Sequence, residues 1–146
     1  MKNKIHLTIY IVMSGFFLCL DQILKYLART NSDFSFYIWK NWIGWEYLAN
    51  PGIAFSLPVP NWLVVLVTPF ILLGIILWFF KKSKVVSCQL SVVLILAGAL
   101  SNYIDRILFG VTIDYFRILT GVINLADVMI VGGVGLLLVK SYKVKK

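Results

Sequence analysis

Acidic side chains beside apolar runs are the groups in this 146-residue sequence best suited to chemistry. The acidic residues are Asp21, Asp33, Glu46, Asp105, Asp114 and Asp127. The single histidine, His6, lies at the start of the first apolar run, which disfavours a serine–histidine pair elsewhere in the chain. Two carboxyl groups held close together cannot both ionise easily, so they share a proton. One can then accept a proton from water while the other donates a hydrogen bond to a carbonyl oxygen.

Asp114 and Asp127 are the pair that their surroundings favour, because each lies among apolar residues. Asp105 is followed by Arg106 and shares a segment with Arg117, so we expect an arginine to hold it in a structural ion pair. We assign Asp33 and Glu46 to a solvated loop. Asp21 precedes Lys25 by four residues, a spacing that places both on one helix face and predicts an ion pair near the helix end.

Other chemistries remain open on this evidence. Lys25 with Ser101 or Ser56 would form a serine–lysine pair, although Asp21 competes for the lysine. A metal could be bound through the carboxylate oxygens of Asp105, Asp114 and Asp127. Arg106 and Lys25 would compete with such a cation. A proton-coupled carrier also places acids within membrane helices. Cys19, Cys88 and one histidine are too few for a zinc site, so both cysteines are predicted to be packing residues and no metal is expected.

The elements that must position these acids are membrane helices. The chain is 60% hydrophobic and 14% charged, whereas a soluble domain is about one-quarter charged. This excludes a soluble globule and predicts one integral membrane domain over residues 1–146. The apolar runs, each near the roughly 20 residues that a spanning helix needs, are Ile5–Leu27, Trp62–Phe80, Val85–Ile104 and Val122–Val139.

Basic residues cluster before, between and after these runs on one predicted side of the membrane. They are Lys2, Lys4, Lys81, Lys82, Lys84, Lys140, Lys143, Lys145 and Lys146. The positive-inside rule therefore places both termini in the cytoplasm and all six acids on the outer half. The net charge of +8 follows from these juxtamembrane clusters, so no nucleic-acid partner is expected.

Polar residues recur at the outer ends of the predicted helices. Residues 98, 102, 105 and 106 share one helical stripe, and Asn124 and Asp127 share another face. Helix packing and end-capping are the alternative roles for such amides. The outer segment 28–61 alternates from Phe34 to Ile38 like a half-buried strand, and tryptophans then recur every three residues. It is either a small interfacial element or an aromatic belt that anchors helix ends.

Five motifs, in order along nearly the whole chain, resemble those of the bacterial lipoprotein signal peptidase (type II signal peptidase) family. They are Asp21-Gln22 with Lys25, residues 50–56 (NPGIAFS), residues 98–106 (GALSNYIDR), residues 112–116 (TIDYF), and residues 124–127 (NLAD). The resemblance implies four transmembrane helices with a small outer β-cradle between helices one and two. It also implies an aspartic endopeptidase of the bacterial cytoplasmic membrane, without a cofactor.

The same resemblance implies partners and roles. The substrates are diacylglyceryl-modified prolipoproteins, cut before the lipidated cysteine in contact with membrane lipid; cyclic peptide antibiotics occupy the site, and we expect a monomer. The implied catalytic residues are Asp114 and Asp127. Those implied to line the site or hold substrate are Asn50, Gly52, Asn102, Arg106 and Asn124. Those implied to support it are Asp21, Lys25, Gly98, Asp105 and Ala126.

Three features depart from the family pattern. Ser101 stands where glycine is common, Tyr115 stands where phenylalanine is common, and the segment Phe116–Ile123 is short. Because this segment is short, the resemblance does not predict the conformation of the outer loop near the site. No departure removes a carboxylate.

Overall fold

Four helices and one antiparallel sheet make up the computed structural model, which describes residues 2–53, 57–81 and 88–144. The helices are α1 (Lys2–Thr30), α2 (Asn61–Lys81), α3 (Gln89–Phe109) and α4 (Leu125–Val144). The strands are β1 (Phe36–Trp39), β2 (Ile43–Asn50), β3 (Thr112–Ile118) and β4 (Gly121–Ile123). Of the family motifs, residues 54–56 lie outside the described residues, as do positions 85–87 of the third apolar run.

Three of the helices are long and apolar enough to cross a membrane: Ile5–Thr30, Asn61–Phe79 and Gln89–Phe109. The apolar part of α4, Leu125–Val139, is shorter. Their outward faces carry many exposed large apolar side chains, as helices surrounded by lipid do. The chain is therefore a multi-pass membrane protein.

Helix α3 lies at the centre of the bundle and packs against α1, α2 and α4. Its approach to α4 is close at Gly98, where an added Cβ would lie 2.5 Å from the Ala126 carbonyl oxygen. A small residue is required there because it lets the two backbones approach each other.

The sheet is larger than the sequence predicts. The predicted β-cradle between helices one and two is present as β1 and β2, and β3 and β4 from the segment between α3 and α4 extend it to a sheet of order β1-β2-β3-β4. For the same reason α4 begins at Leu125 rather than Val122, since residues 121–123 pair with β3. The short Phe116–Ile123 segment is thus mostly hairpin, with its turn at Leu119 and Thr120.

The end of α3 and the strand β1 also differ from the predictions. Helix α3 continues past Ile104 to Phe109, so Asp105 is helical, and Gly110 ends the helix with φ 76° and an N–H bond to the Arg106 carbonyl at 3.2 Å. A positive φ favours glycine, which explains the stop. The strand expected from Phe34 is present but begins at Phe36, and its predicted half-burial is wrong because all four residues of β1 are exposed.

Candidate active site

A cleft of about 910 Å³ opens between the sheet, the C-terminal end of α3 and the N-terminal end of α4. Asp114 and Asp127 both line it, as do Asn50, Asn102 and Arg106. Strand pairing places Asn50 near Asp114. Asn50, at the end of β2, lies opposite Thr112 on β3, two residues before Asp114.

Asp114 is almost fully buried, with 1% of its surface exposed. Its Oδ2 accepts a hydrogen bond from Nδ2 of Asn50 at 3.0 Å, and its Oδ1 accepts one from Nδ2 of Asn124 at 2.7 Å. Burial, and next the negative charge of Asp127, raise the pKa of Asp114 to about 7. The two asparagine donors oppose this shift without cancelling it.

Asp127 is half-buried in the first turn of α4. Its Oδ1 accepts from Nδ2 of Asn102 at 2.8 Å, and its Oδ2 accepts from the backbone N–H of Asn124 at 3.3 Å. The Asn124 side-chain oxygen in turn accepts the Asp127 N–H at 2.9 Å. This reciprocal arrangement is a capping box, so the bonds that start the helix also orient the carboxylate.

Every oxygen of these two carboxylates thus receives a hydrogen bond from a neutral nitrogen. The ion pairs within 4 Å among the described residues join Lys25 to Asp21 and Asp105, and Arg117 to Glu46. Neither member of the pair is therefore neutralised by a direct lysine or arginine contact in the described parts of the chain. Without such a contact, burial raises the pKa of Asp114 against the hydrogen bonds that lower it.

The turn after β2 is held by Asn50 and Arg106. Asn50 Oδ1 accepts the Gly52 N–H at 3.0 Å, and Arg106 donates to the Gly52 carbonyl oxygen. Asn61, the first residue of α2, is a contributor that the sequence did not reveal: its side chain donates to the Arg106 carbonyl at 3.2 Å. Only its position at the start of an apolar helix could have suggested a role.

Lys25 lies behind the cleft, 1% exposed, and contacts polar groups of its own helix and of α3. Its Nζ lies 2.9 Å from Asp21, 2.8 Å from Asp105 and 2.7 Å from Oδ1 of Asn102. The ion pair expected between Asp21 and Lys25 is present. Because Lys25 can only donate, it fixes the Asn102 amide with its oxygen towards α1 and its nitrogen towards Asp127.

The predicted arginine partner of Asp105 is wrong, since Lys25 takes that place. Arg117 instead contacts Glu46 at 2.6 Å. Glu46 lies in β2, so its predicted place in a solvated loop is wrong. The hydrogen bond from Arg117 lowers the pKa of Glu46. Lys25 and Asp105 lie 80 positions apart in the sequence, and Glu46 and Arg117 lie 71 apart. Proximity in the sequence therefore could not predict either pair.

Two alternative chemistries fit the arrangement poorly. Ser101 is fully buried, donates to Asp21 at 2.6 Å and lies 3.4 Å from a lysine already bound to two carboxylates. That lysine is poorly placed to act as a base; Ser56 is outside the described residues. Of the three aspartates considered as metal ligands, Asp105 is bound to Lys25 and to the Ile113 N–H at 3.2 Å, away from the cleft lining.

The remaining predicted residues lie where α1, α3 and α4 meet. Ala126 is fully buried against Gly98, and its N–H donates to Asp21 Oδ1 at 3.2 Å. Gln22 was named only as part of a motif, yet it donates to the Ser101 hydroxyl at 2.8 Å and to Asp105 at 3.2 Å.

Residues 13–143 match the family model described as signal peptidase (SPase) II. The chain belongs to the signal peptidase II family. It is therefore a membrane protease, and the similarity extends along most of its length.

Curated relatives support this membership in the signal peptidase II family. A lipoprotein signal peptidase of Halothermothrix orenii is 36% identical over 132 residues, covering 87% of this chain and 90% of the relative. Another, of Lactococcus lactis subsp. lactis, is 32% identical over 140 residues, covering 91% of both.

Solved structures agree with this fold. A bacterial membrane enzyme determined by the in meso method at 2.3 Å superposes with a TM-score of 0.85 at 26% identity, covering 93% of this chain and 88% of that one. A second, at 1.9 Å, gives a TM-score of 0.79 at 25% identity, with coverage of 91% and 92%.

Proposed function

We propose that this protein is an aspartic endopeptidase that removes signal peptides from diacylglyceryl-modified prolipoproteins, cutting before the lipidated cysteine. One observation carries the proposal: Asp114 and Asp127 line one cleft, and each of their oxygens accepts a hydrogen bond from a neutral nitrogen. The names of the relatives supply the substrate class.

The reaction begins with a water between the two carboxyl groups, which share one proton. Because the pKa of Asp114 is raised to about 7, chiefly by burial, the pair retains that proton near neutral pH. The ionised carboxylate accepts a proton from the water as the water oxygen bonds to the carbonyl carbon preceding the cysteine. The protonated carboxyl donates a hydrogen bond to the developing oxyanion. The C–N bond then breaks, and the proton taken from the water passes to the leaving amine of the cysteine.

The surrounding amides hold this pair in position. Asn50, Asn102 and Asn124 each donate to a carboxylate oxygen, which leaves further lone pairs on those oxygens for water. Arg106 supports the Gly52 carbonyl at the cleft lining, and we assign Gly52 and Arg106 to contacts with the substrate backbone.

The membrane setting completes the proposal. Residues 1–146 form one domain with four spans, both termini in the cytoplasm and the cleft on the outer face of the bacterial cytoplasmic membrane. The excess of lysine at the opposite helix ends supports this orientation. We further propose that the protein acts as a monomer and that cyclic peptide antibiotics of the family bind this cleft.

The test uses the full chain purified in detergent with a diacylglyceryl-modified prolipoprotein and no added metal. We expect signal-peptide release at the bond before the cysteine, and its loss in Asp114→Asn and in Asp127→Asn. Asp33→Asn, at an exposed position, is the matched control and should cleave normally.

Three outcomes contradict the proposal in different ways. Substantial cleavage by either asparagine variant at normal protein level would exclude Asp114 and Asp127 as the catalytic pair. Activity abolished by a chelator points to a metal site instead. Solute flux without cleavage, in protein reconstituted into vesicles, would identify a carrier.

A further inference from the structure

The hydroxyl of Tyr115 joins three elements behind the cleft. It donates to Oδ1 of Asp21 on α1 at 2.9 Å and accepts the backbone N–H of Leu125, the first residue of α4, at 3.0 Å. Tyr115 directly follows Asp114 on β3, and Leu125 precedes Asp127 by two residues. One hydroxyl therefore connects the strand that carries one aspartate to the helix that carries the other.

The first turn of α4 depends on such contacts for its backbone N–H groups, which have no partner within the helix. The Leu125 N–H uses the Tyr115 hydroxyl, and the Ala126 N–H uses Asp21 Oδ1 at 3.2 Å. The Asp127 N–H uses Asn124. The first two of these partners are themselves bonded to each other, so Tyr115 and Asp21 form one support for the start of α4.

The hydroxyl is placed firmly because its ring is packed. Tyr115 is 4% exposed, packs against Trp45 with ring centroids 5.0 Å apart and ring planes tilted by 32°, and belongs to a buried cluster with Ala28 and Ile113. Burial raises the pKa of Tyr115, so its hydroxyl remains a donor at any pH at which the protein works. Removing the oxygen alone would leave this packing intact.

We propose that Tyr115 is a positioning residue whose hydroxyl sets the placement of Asp127 relative to Asp114. The inference rests on the proposed function, because it assigns Tyr115 a role in the same pair. Phenylalanine at this position would keep the ring contacts but would leave the Leu125 N–H without its acceptor, and Asp21 Oδ1 with only the Ala126 N–H.

The pH dependence of cleavage supplies a readout that stability alone would not move. The charged groups facing Asp114 are Asp127 on α4, Lys25 on α1 and Arg106 on α3. Asp127 raises the pKa of Asp114, and Lys25 lowers it. If the first turn of α4 is held less firmly, the charge of Asp127 raises the pKa of Asp114 by less. The pair then loses its shared proton at lower pH.

The experiment compares Tyr115→Phe with wild type in the prolipoprotein cleavage assay. We expect kcat to fall about 10- to 100-fold, as small displacements of catalytic groups produce, with KM changed by less than about twofold. The alkaline limb of the kcat profile should move to lower pH. Tyr26→Phe is the matched control: it removes a tyrosine hydroxyl from an exposed position on α1, and it should match wild type.

A second variant separates positioning from stability. Proline is favoured at the first position of a helix and has no N–H, so Leu125→Pro in the Tyr115→Phe background removes the orphaned donor. We expect this double variant to regain melting temperature while kcat stays low and the alkaline limb stays shifted. Leu125→Pro alone controls for the loss of the leucine side chain.

Three results overturn the inference. A folded Tyr115→Phe protein whose kcat and pH profile match wild type shows that the hydroxyl is dispensable. Recovery of kcat together with melting temperature in the double variant shows that it served stability only. Failure of the wild-type chain to cleave removes the proposed function and this inference together, whereas the first two results leave the proposed function intact.

Discussion

Asn124 and Asp127 cap each other at the start of α4. The Asn124 side chain accepts the Asp127 N–H at 2.9 Å, and the Asp127 carboxylate accepts the Asn124 N–H at 3.3 Å. The same Asn124 side chain donates to Asp114 at 2.7 Å. A helix start that lies at the cleft therefore joins the two carboxyl groups through one amide, and the positive end of the helix dipole favours the carboxylate there.

Replacing Asn124 separates its two roles. Asn124→Ser keeps an oxygen that can cap the Asp127 N–H but has no nitrogen to donate to Asp114, whereas Asn124→Ala loses both. We expect both variants to lose stability because the buried Asp114 and Ile113 oxygens lose a donor, and Asn124→Ala to lose about 1 kcal/mol more because it also lacks the cap. Both should cleave poorly, as measured by thermal unfolding and peptide release in the same detergent.

Full activity in Asn124→Ser with loss in Asn124→Ala would contradict this division, because it would assign the effect to the cap alone.

The spacing of this capping box could be read in the sequence, since asparagine and aspartate three residues apart begin an apolar run. The helices were equally predictable from the sequence, because a run of about 20 apolar residues in a membrane forms a spanning helix. The full sheet was not predictable: β3 pairs with β2 across some 70 residues, and β4 pairs in turn with β3. Local pattern carries no information about such a partner.

Substitution of Gly98 tests the close approach between α3 and α4. In Gly98→Ala the new Cβ would meet the Ala126 carbonyl oxygen at 2.5 Å and Ile130 Cγ1 at 2.9 Å, so α4 must move away. The Asn102–Asp127 hydrogen bond lies one helical turn further along the same contact. We expect lower thermal stability and a fall in kcat of about 10-fold or more.

Gly132→Ala is the matched control, because an added Cβ there has nothing within 4 Å. It should cleave normally. A Gly98→Ala protein that behaves like Gly132→Ala would show that the two helices adjust at no cost.

Loss of the Lys25 charge is predicted to be severe. Lys25→Met leaves the Asp21 and Asp105 carboxylates buried without their cation, a change that typically costs about 3–5 kcal/mol. It also frees the Asn102 amide to rotate away from Asp127. We expect a large drop in melting temperature and no detectable cleavage.

A triple variant, Lys25→Met with Asp21→Asn and Asp105→Asn, removes the uncompensated charges. It should regain much of the melting temperature but not the activity, because nothing then fixes the Asn102 amide. Recovered cleavage in the triple variant would mean that Lys25 serves charge balance only.

The Lys25 cluster shows where sequence reasoning succeeded and failed. The bond to Asp21 follows from a four-residue helical spacing and was predictable. The bonds to Asp105 and Asn102 join α1 to α3 and depend on how the helices rotate about their axes. The hydrophobic pattern determines that rotation only coarsely, so the sequence favours the adjacent arginine as the partner of Asp105, and this prediction is wrong.

Protein stability should carry the signature of the raised pKa of Asp114. An aspartate in an unfolded chain has a pKa of about 4, whereas burial raises that of Asp114 to about 7 in the folded protein. Between these values the folded state binds more protons than the unfolded state, so unfolding free energy falls as pH rises from about 4 to about 7. In Asp114→Asn that contribution is absent. We expect the melting temperature of wild type to decline across this window more steeply than that of Asp114→Asn, with Asp33→Asn following wild type. Parallel curves for all three proteins would show that Asp114 is ionised in the folded state throughout, and would remove the basis for a shared proton.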